Sequence, residues 1–553
     1  MLVLSLTALG SYGFMITHHT VGIDDTPYSY YFEEGLAAIV GRWVCFLLNK
    51  VVNIADFAPF LTDLAGVLIL MIAVTVWCTL FHSILKDGVP WYGYLFFATI
   101  FISCPLISEV YVYYLHNAIA IGYLCSGVSL CFFREALVQR GEGSLGKVGA
   151  SDKKNLGKSV AGMRKQIFLL LGSAVFLWIA LGCYESFMMV WLLGVCLILA
   201  TRRMYGVKDK VVRTIALAGV TALLSMVLRS VMIGLVTKVF GLEYLQQDAI
   251  RRSITELIGW MLKEDALSNF AMALKRTYVM YGVFACAYYP ITIFILASAV
   301  IVITALVVAV KRKDFWIPVL VLAGYIAAFS LVVIEGKATY YRAAQFLPVI
   351  CGYGALLSMY AVYSLWKKYQ KKWAVCCKAA VVVILSCILW NQCADMNRWF
   401  YVDYQKYEAA KETMYKVAYE LEKHFDTSKP IVFTGTYEIP SAIIQDAYVS
   451  YSDPAYGWMI NMTHWLDEHL LEKFYRSQGV WVAQQPSLSV IDWGRNAFDT
   501  NQELFKFFEM HGITLRMLEG ADYEQLELDS YSLPEFPKAG SIVDMGDYIV
   551  VHF

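Results

Sequence analysis

Long apolar segments constrain the fold of this 553-residue chain more than any other feature of its sequence. They run for roughly 17–25 residues, the length of α-helix that crosses the hydrocarbon core of a bilayer. Hydrophobic residues make up 59% of the chain, a larger share than soluble proteins carry. We therefore predict a polytopic α-helical membrane protein with about eleven transmembrane helices. The candidate spans are Met1–Thr17, Phe60–Leu85, Trp91–Ile107, Val110–Phe133, Ile167–Cys183, Ser186–Thr201, Thr214–Phe240, Tyr281–Val310, Phe315–Ile334, Ala344–Trp366 and Ala374–Trp390.

The distribution of basic residues predicts the orientation of these spans. Lys and Arg concentrate in the connections at 134–166, 202–213, 311–313 and 367–372, whereas the alternate connections contain the acids. Because cytoplasmic loops are enriched in Lys and Arg, we expect the N-terminus and the basic loops inside and the acidic end outside. Met1–Thr17 is interpreted as a retained first span, since no basic segment precedes it and no small-residue cleavage site follows. The balanced charge gives no reason to expect a nucleic-acid partner.

The first connection after this span is rich in acidic and aromatic residues. It holds the pair Asp24–Asp25, followed closely by Tyr28. Small or polar residues then recur at helical spacing, which predicts a helix in the membrane interface with a narrow polar stripe. The residues of this stripe are Glu34, Ala38, Arg42, Cys45, Asn49 and Asn53. We expect residues 18–59 to form an acidic platform on the outer surface.

The composition changes near the end of the last apolar segment. Apolar and charged residues alternate at helical spacing over Tyr404–Phe425, which predicts an amphipathic helix. Pro430–Thr434 is typical of a buried strand, and Ser541–Phe553 of a terminal pair of strands. These patterns divide the chain into a transmembrane domain, 1–395, and a small extracytoplasmic α/β domain, 396–553.

Ionisable residues gather beside the spans at the acidic end, where each indicates either function or ion pairing. A carboxylate can deprotonate an acceptor hydroxyl, an arginine can hold a phosphate, and an aromatic ring can stack on a sugar. Such a set suits a sugar attached to a lipid phosphate. The candidate catalytic residues are Asp24, Asp25, Glu109 and Glu185, and the candidate substrate-binding residues are Arg342, Arg229, Tyr341, His116 and Tyr28.

These candidates also have structural interpretations that the sequence leaves open. The Asp24–Asp25 pair also suits a solvated turn before Pro27, and Glu109 and Glu185 also suit helix ends at the interface. Arg229 also suits an ion pair with an acid. The two adjacent aspartates offer hard oxygen ligands to a divalent cation such as Mg²⁺ or Mn²⁺, but two residues alone do not predict a metal site.

Several short stretches resemble the GT-C class of membrane glycosyltransferases and, more narrowly, the GtrII-type glucosyltransferases of bacterial surface-polysaccharide modification. They are GIDDTPYSYYFEEG and GRW in the first loop, CPLISEVYVYYLHN, CYESFMMVW and TYYRAAQFLPV. The resemblance covers most of the membrane region, and residues 396–553 contribute little to it.

The resemblance implies inverting transfer of glucose or a similar hexose from a polyprenyl-phosphate donor, such as undecaprenyl phosphate, to a cell-surface glycan outside the bacterial cytoplasmic membrane. In GT-C enzymes an acid of the first exterior loop is the general base, a role that goes to Asp24 or Asp25 here. Glu109 and Glu185 would then be supporting acids, and Arg342 the leading phosphate contact.

Two other functions stay open from the sequence. A surface-polysaccharide polymerase would use a lipid-diphosphate-linked oligosaccharide, and a flippase or transporter would move a lipid-linked sugar. The absence of an evident internal repeat and the clustering of polar residues at one rim disfavour transport.

Overall fold

The computed structural model describes residues 1–21, 35–52, 59–112, 116–143, 153–242, 259–264, 266–268, 270–271, 273, 292–336, 341–369, 372–435, 437, 501–520 and 522–553. Its helices are α1 (Leu2–Thr17), α2 (Gly35–Ile39), α3 (Trp43–Val52), α4 (Pro59–Leu85), α5 (Trp91–Ile102), α6 (Ser108–Tyr111), α7 (His116–Gly143), α8 (Lys153–Cys183), α9 (Phe187–Met204), α10 (Val211–Val239), α11 (Thr292–Arg312), α12 (Trp316–Ala328), α13 (Ser330–Glu335), α14 (Leu347–Tyr369), α15 (Lys372–His424), α16 (Asn501–Met510) and α17 (Tyr523–Ser530). Short 3₁₀ turns lie at Lys86–Gly88, Pro105–Ile107, Gly259–Leu262 and Tyr341–Ala343.

Within these ranges, nine helices are long and apolar enough to cross a membrane. Two further helices, α1 and α12, are apolar but shorter, with 16 and 13 residues. Each predicted span overlaps one of these helices, because a hydrocarbon environment forces the backbone to satisfy its polar groups within a helix. The polytopic helical fold is confirmed, whereas the number of membrane crossings stays a prediction.

Buried aromatic side chains with satisfied polar atoms hold the membrane core together. Trp77 of α4 and Trp191 of α9 are completely buried. The Trp77 indole N–H donates to the Tyr123 carbonyl at 3.1 Å, and the Trp191 indole N–H donates to the Ser129 hydroxyl at 2.8 Å. The Ser129 hydroxyl donates in turn to the Ser173 carbonyl at 2.7 Å. These bonds fix the rotation of α4, α7, α8 and α9 against one another, since apolar side chains alone find lipid as favourable as protein.

The last apolar segment and the predicted amphipathic helix form one continuous helix, α15, of 53 residues. It contains no proline or glycine to end it, and its length of about 80 Å far exceeds the hydrocarbon core. Met396 and Phe400 pack into the membrane core, whereas Met414 and Leu421 pack into a second core with the C-terminal strands. The predicted boundary at 395/396 therefore lies inside a helix, and the division into two domains stays a prediction.

A small three-stranded sheet completes the described C-terminal part. Strands β1 (Ile431–Thr434), β2 (Ile542–Asp544) and β3 (Ile549–His552) stand in the order β1-β3-β2. The β1–β3 pair is parallel, with Ile431 opposite Ile549, and the β2–β3 pair is antiparallel. Both β1 and β3 are buried along their whole length. The predicted strand at 430–434 and the predicted terminal pair of strands are confirmed.

The predicted interfacial helix of the first loop is divided in the structure. Helices α2 and α3 are separated at Gly41, whose φ of +94° is a conformation that L side chains rarely adopt. Ala38, Cys45 and Asn49 of the predicted polar stripe are all buried. The predicted polar stripe is therefore buried at these residues, because neighbouring helices cover it. Glu34 and Asn53 lie outside the described ranges.

Replacing Gly354 with alanine is expected to destabilise the fold, because α14 approaches α11 too closely there to admit a side chain. A Cβ at Gly354 would lie 2.6 Å from the Cα of Ala297, so relief requires one helix to move. Overpacking of this kind costs about 1–3 kcal/mol, which should lower the unfolding temperature of the purified protein in detergent. Gly219→Ala is the matched control, since nothing lies within 4 Å of its added methyl group. Equal unfolding temperatures for the two variants would contradict the close contact.

Candidate functional site

The end of α1, the beginning of α4, the short helix α6 and the middle of α15 meet in one cleft. Its lining consists of Met15, His18, His19, Thr20, Asp63, Tyr111, Val112, Phe400 and Asp403. The space is about 20 Å³, enough for about one water molecule. The chain passes from this cleft directly into the acidic first loop. The cleft can therefore hold one polar group of a ligand.

Two carboxylates from distant parts of the chain face this cleft. Asp63, on the second turn of α4, is 6% exposed. The side chain of Asp403, on α15, is 15% exposed. The Thr20 hydroxyl donates to Asp403 Oδ2 at 2.7 Å, and Lys406 Nζ lies 3.9 Å from Asp403 Oδ1. These contacts fix Asp403 and tie the end of α1 to α15.

Neither aspartate was among the sequence-predicted site residues. For Asp63 a signal was present, since an acid inside a predicted span is by itself a functional hypothesis. Asp403 follows Phe400 by three residues, which places both on one face of a helix. That spacing does not say which neighbour the face meets, so the sequence alone did not reveal Asp403.

Glu109 lies on α6, next to the cleft but on the other side of that helix. It is completely buried, and so is nearly all of Tyr111, whose hydroxyl donates to the Gly66 carbonyl at 3.2 Å. Residues two apart on a helix point about 200° away from each other. Glu109 therefore points away from the cleft that Tyr111 lines. Helix α6 also packs against the 3₁₀ turn Tyr341–Ala343, which brings Glu109 and the turn of Arg342 into one region.

A buried hydrogen-bond chain fixes the turn that carries Arg342. Gln345 is completely buried, and its amide nitrogen donates to the Arg342 carbonyl at 2.6 Å. The Tyr123 hydroxyl, in the core, donates to the side-chain oxygen of Gln345 at 2.6 Å. The core helix α7 thus sets the position of Arg342, whose side chain is partly exposed.

Arg229 and Glu185 form a third polar group at the same end of the bundle. Arg229 Nη2 lies 3.9 Å from Glu185 Oε2, and Arg229 Nε donates to the Leu181 carbonyl at 3.1 Å. The side chains are 22% and 49% exposed, so the ion pair contributes less than about 1 kcal/mol. Gly41 makes room for the guanidinium, since a Cβ there would lie 2.8 Å from Arg229 Cζ. A phosphate group could therefore replace Glu185 as the partner of Arg229.

Beside this third group, another arginine lies over an aromatic ring. The Arg42 guanidinium lies 4.6 Å from the centre of the Tyr184 ring, at the turn between α8 and α9. Behind it, the rings of Trp43 and Trp178 stack at 4.8 Å. Two arginines and an aromatic wall therefore stand beside Glu185.

The remaining predicted site residues are only partly covered by the structure. Asp24, Asp25 and Tyr28 lie outside the described ranges, and for His116 and Tyr341 only the backbone is described. His116 is the first residue of α7, and Tyr341 is the first residue of the 3₁₀ turn that contains Arg342. Among the described residues, no three His, Cys, Asp or Glu side chains are grouped as a metal site would require.

The described polar residues thus form three groups at the end of the bundle from which the first loop leaves. The cleft holds Asp63 and Asp403, the turn of Arg342 lies beside buried Glu109, and Arg229 pairs with Glu185. Carboxylates accept hydrogen bonds from sugar hydroxyls, and arginine binds phosphate oxygens in a two-pronged geometry. The arrangement offers both kinds of contact to a phosphate-linked sugar.

Comparison with known proteins gives one result. The family model described as Glucosyl transferase GtrII matches residues 13–359, which is more than half of the chain and includes the first loop, Asp63, Glu109, Glu185, Arg229 and Arg342. No curated protein and no solved structure matches the chain. The chain therefore belongs to the GtrII glucosyl transferase family.

Proposed function

We propose that this protein transfers glucose or a similar hexose from a polyprenyl-phosphate donor to a cell-surface polysaccharide or related glycopolymer, with inversion at the sugar. The observation that supports this most is the family match itself, which contains the first loop and every sequence-predicted site residue. The described members of that set lie at one end of the bundle. Its partners are the bilayer, the lipid-linked donor and the glycan acceptor.

In the proposed reaction, Asp24 or Asp25 removes the proton from an acceptor hydroxyl. The acceptor oxygen then attacks the anomeric carbon of the sugar, and the bond from that carbon to the phosphate oxygen breaks on the opposite face. The electron pair leaves with the lipid phosphate, so no covalent intermediate forms and the configuration inverts. Arg342 and Arg229 stabilise the departing phosphate, because its negative charge grows as the bond breaks.

The other site residues bind and orient the two substrates. Tyr28, Tyr341 and His116 supply rings that stack on a sugar, and Glu185 and Glu109 act as supporting acids. Asp63 and Asp403 bind a hydroxyl group of the acceptor in the small cleft. The mechanism uses only side chains of this protein, and a divalent cation held by the first-loop aspartates would add charge neutralisation at the phosphate.

The proposed orientation follows from charge. The basic connections face the cytoplasm of a bacterial cell, and the first loop and residues 396–553 face outward, as the positive-inside rule requires. Helix α15 then carries the chain from the cytoplasmic membrane into the extracytoplasmic α/β unit. This places the reaction on the side where surface glycans are found.

A flippase is disfavoured by the packing of the described core. Such a protein needs a polar path to both membrane faces, but aromatic rings fill the interior between the two ends of α4. Phe81 lies 5.0 Å from Tyr353 and 5.5 Å from Phe97, measured between ring centres, and all three side chains are completely buried. A polymerase remains the second enzymatic candidate, distinguished by its lipid-diphosphate-linked donor.

The Asp24→Asn and Asp25→Asn variants test the general base. Loss of a general base slows transfer by about 10²–10⁴-fold, so we expect one variant to lose nearly all turnover and the other to retain most of it. The assay is transfer from radiolabelled polyprenyl-phosphate glucose to extracted surface glycan, with purified proteins of equal unfolding temperature. Normal transfer by both variants would show that the general base is not an aspartate of this loop. Transfer only from a diphosphate-linked oligosaccharide would identify a polymerase.

Asp63→Asn tests the assignment of the cleft to the acceptor. Losing a charged hydrogen-bond acceptor weakens binding by about 10–100-fold, so we expect a higher KM for the acceptor and an unchanged KM for the donor. Asp87→Asn, beyond the other end of α4, is the matched control and should leave both constants unchanged. If Asp63→Asn instead lowers kcat while Asp24→Asn and Asp25→Asn stay active, Asp63 would be identified as the general base.

Tyr123→Phe tests the positioning of Arg342. The substitution leaves buried Gln345 without its hydroxyl partner and loosens the turn. Because Arg342 is proposed both to hold the donor phosphate and to stabilise its growing charge, we expect KM for the donor to rise and kcat to fall, which together lower kcat/KM about tenfold. Tyr353→Phe removes an equally buried hydroxyl, 2.7 Å from the Thr201 hydroxyl, far from the site and should leave KM unchanged. An equal effect of both variants would mean that Tyr123 acts only through overall stability.

A further inference from the structure

A larger cavity lies at the basic end of the bundle. It has a volume of about 220 Å³. Its side-chain lining includes Tyr205, Arg312, Tyr360, Tyr363, Ser364 and Lys367. Gly88, just beyond the C-terminal end of α4, also lines it, whereas Asp63 on the second turn of α4 lines the small cleft. Because α4 has 27 residues and is about 40 Å long, the two spaces lie at opposite membrane faces.

The charge around this cavity is positive, because buried arginines already engage two of the neighbouring acids. Arg202 binds Asp209 with two hydrogen bonds of 2.8 and 2.9 Å. Arg203 donates to Asp314 at 2.9 Å. A third acid, Asp87, lies close enough to Tyr205 to add to the rise in pKa that burial causes at this hydroxyl, and it is flanked by Lys86. The two cations that line the cavity therefore remain to attract an anion.

Those cations and the hydroxyl groups around them form a set of hydrogen-bond donors. Arg312 and Lys367 are both exposed, on the last turns of α11 and α14. Burial raises the pKa of Tyr205 to about 12, so its hydroxyl stays protonated and able to donate. The Tyr205 and Tyr360 rings lie 6.1 Å apart, and Lys367 Nζ lies 5.7 Å from the Tyr363 ring. A guanidinium, an ammonium and phenolic hydroxyls together suit the oxygens of a phosphate group.

The position of the cavity favours a phosphate that is attached to lipid. It opens between the ends of α11 and α14, and both helices present apolar side chains outward just inside those ends. Val310 is 79% exposed and Leu365 is 38% exposed. Acyl chains can lie on that surface while the headgroup enters the cavity. Basic pockets between helices on the cytoplasmic side are a known form of anionic-lipid site.

We propose that this cavity binds the phosphate headgroup of an anionic phospholipid in the leaflet at the basic end. The site is separate from the proposed transferase site and does not depend on the sugar or the acceptor. Its recognition elements are Arg312 and Lys367 for charge, and the hydroxyls of Tyr205 and Tyr360 for hydrogen bonds. The bound lipid anchors the ends of α11 and α14 to each other.

The experiment measures phosphatidylglycerol bound to the purified full-length protein by native mass spectrometry, titrated in detergent. The double variant Arg312→Gln, Lys367→Gln is compared with Lys311→Gln, Lys368→Gln, which removes the same charge from the same helices outside the cavity lining. We expect roughly 30-fold weaker binding in the first variant and less than about threefold in the second. Because Arg312 and Lys367 are exposed, we expect each single variant to fold and to bind phosphatidylglycerol with an affinity between those of the wild type and the double variant.

Two competing ligands identify the source of the phosphate. Phosphatidylcholine should not displace bound phosphatidylglycerol, and inorganic phosphate at millimolar concentration should not displace it. Equal binding of phosphatidylglycerol by the two double variants would show that this cavity is not the lipid site. Displacement by inorganic phosphate alone would overturn the lipid assignment and indicate a soluble phosphate compound as the ligand.

Discussion

The fold depends on the requirement that backbone polar groups be satisfied within each helix in hydrocarbon. Where the described backbone leaves helical geometry, water or neighbouring protein groups have to satisfy its polar atoms. The glycines with positive φ at positions 41 and 336, and the 3₁₀ turn that contains Arg342, all lie at the end where the first loop leaves. The same requirement places the chemically useful residues there. The proposed site for a charged lipid-linked substrate thus lies where helices end.

Much of the fold could be predicted because each apolar span has to be long enough to cross a bilayer, a local property of the sequence. The continuity of α15 was missed, since a change from apolar to amphipathic character looked like a boundary although no proline or glycine stands between the two parts. The buried stripe of α2 and α3 was missed for a different reason. Periodicity shows that one face differs from another, but it does not show whether that face meets water or another helix.

The candidate site was predictable only in its residue types. Arg229 and Glu185 stood out as charges beside spans, but their contact depends on Gly41, in the turn between α2 and α3, which leaves space for the guanidinium. Asp403 lies far along the chain from Asp63, and the two meet because α15 continues past the membrane core. Such convergence depends on how each helix is rotated, and buried hydrogen bonds such as those of Trp77 and Trp191 set that rotation.

Helix α15 gives the C-terminal sheet a fixed relation to the small cleft. Phe400 and Asp403 line the cleft, and less than four turns further Met414 packs into the core that contains β1 and β3. The Thr20 hydroxyl bonds to Asp403, so the start of the first loop is attached to this same helix. A rigid helix between the cleft and the sheet sets their separation along its axis. The second core, which contains β1 and β3, therefore lies at a defined distance along this helix from the small cleft.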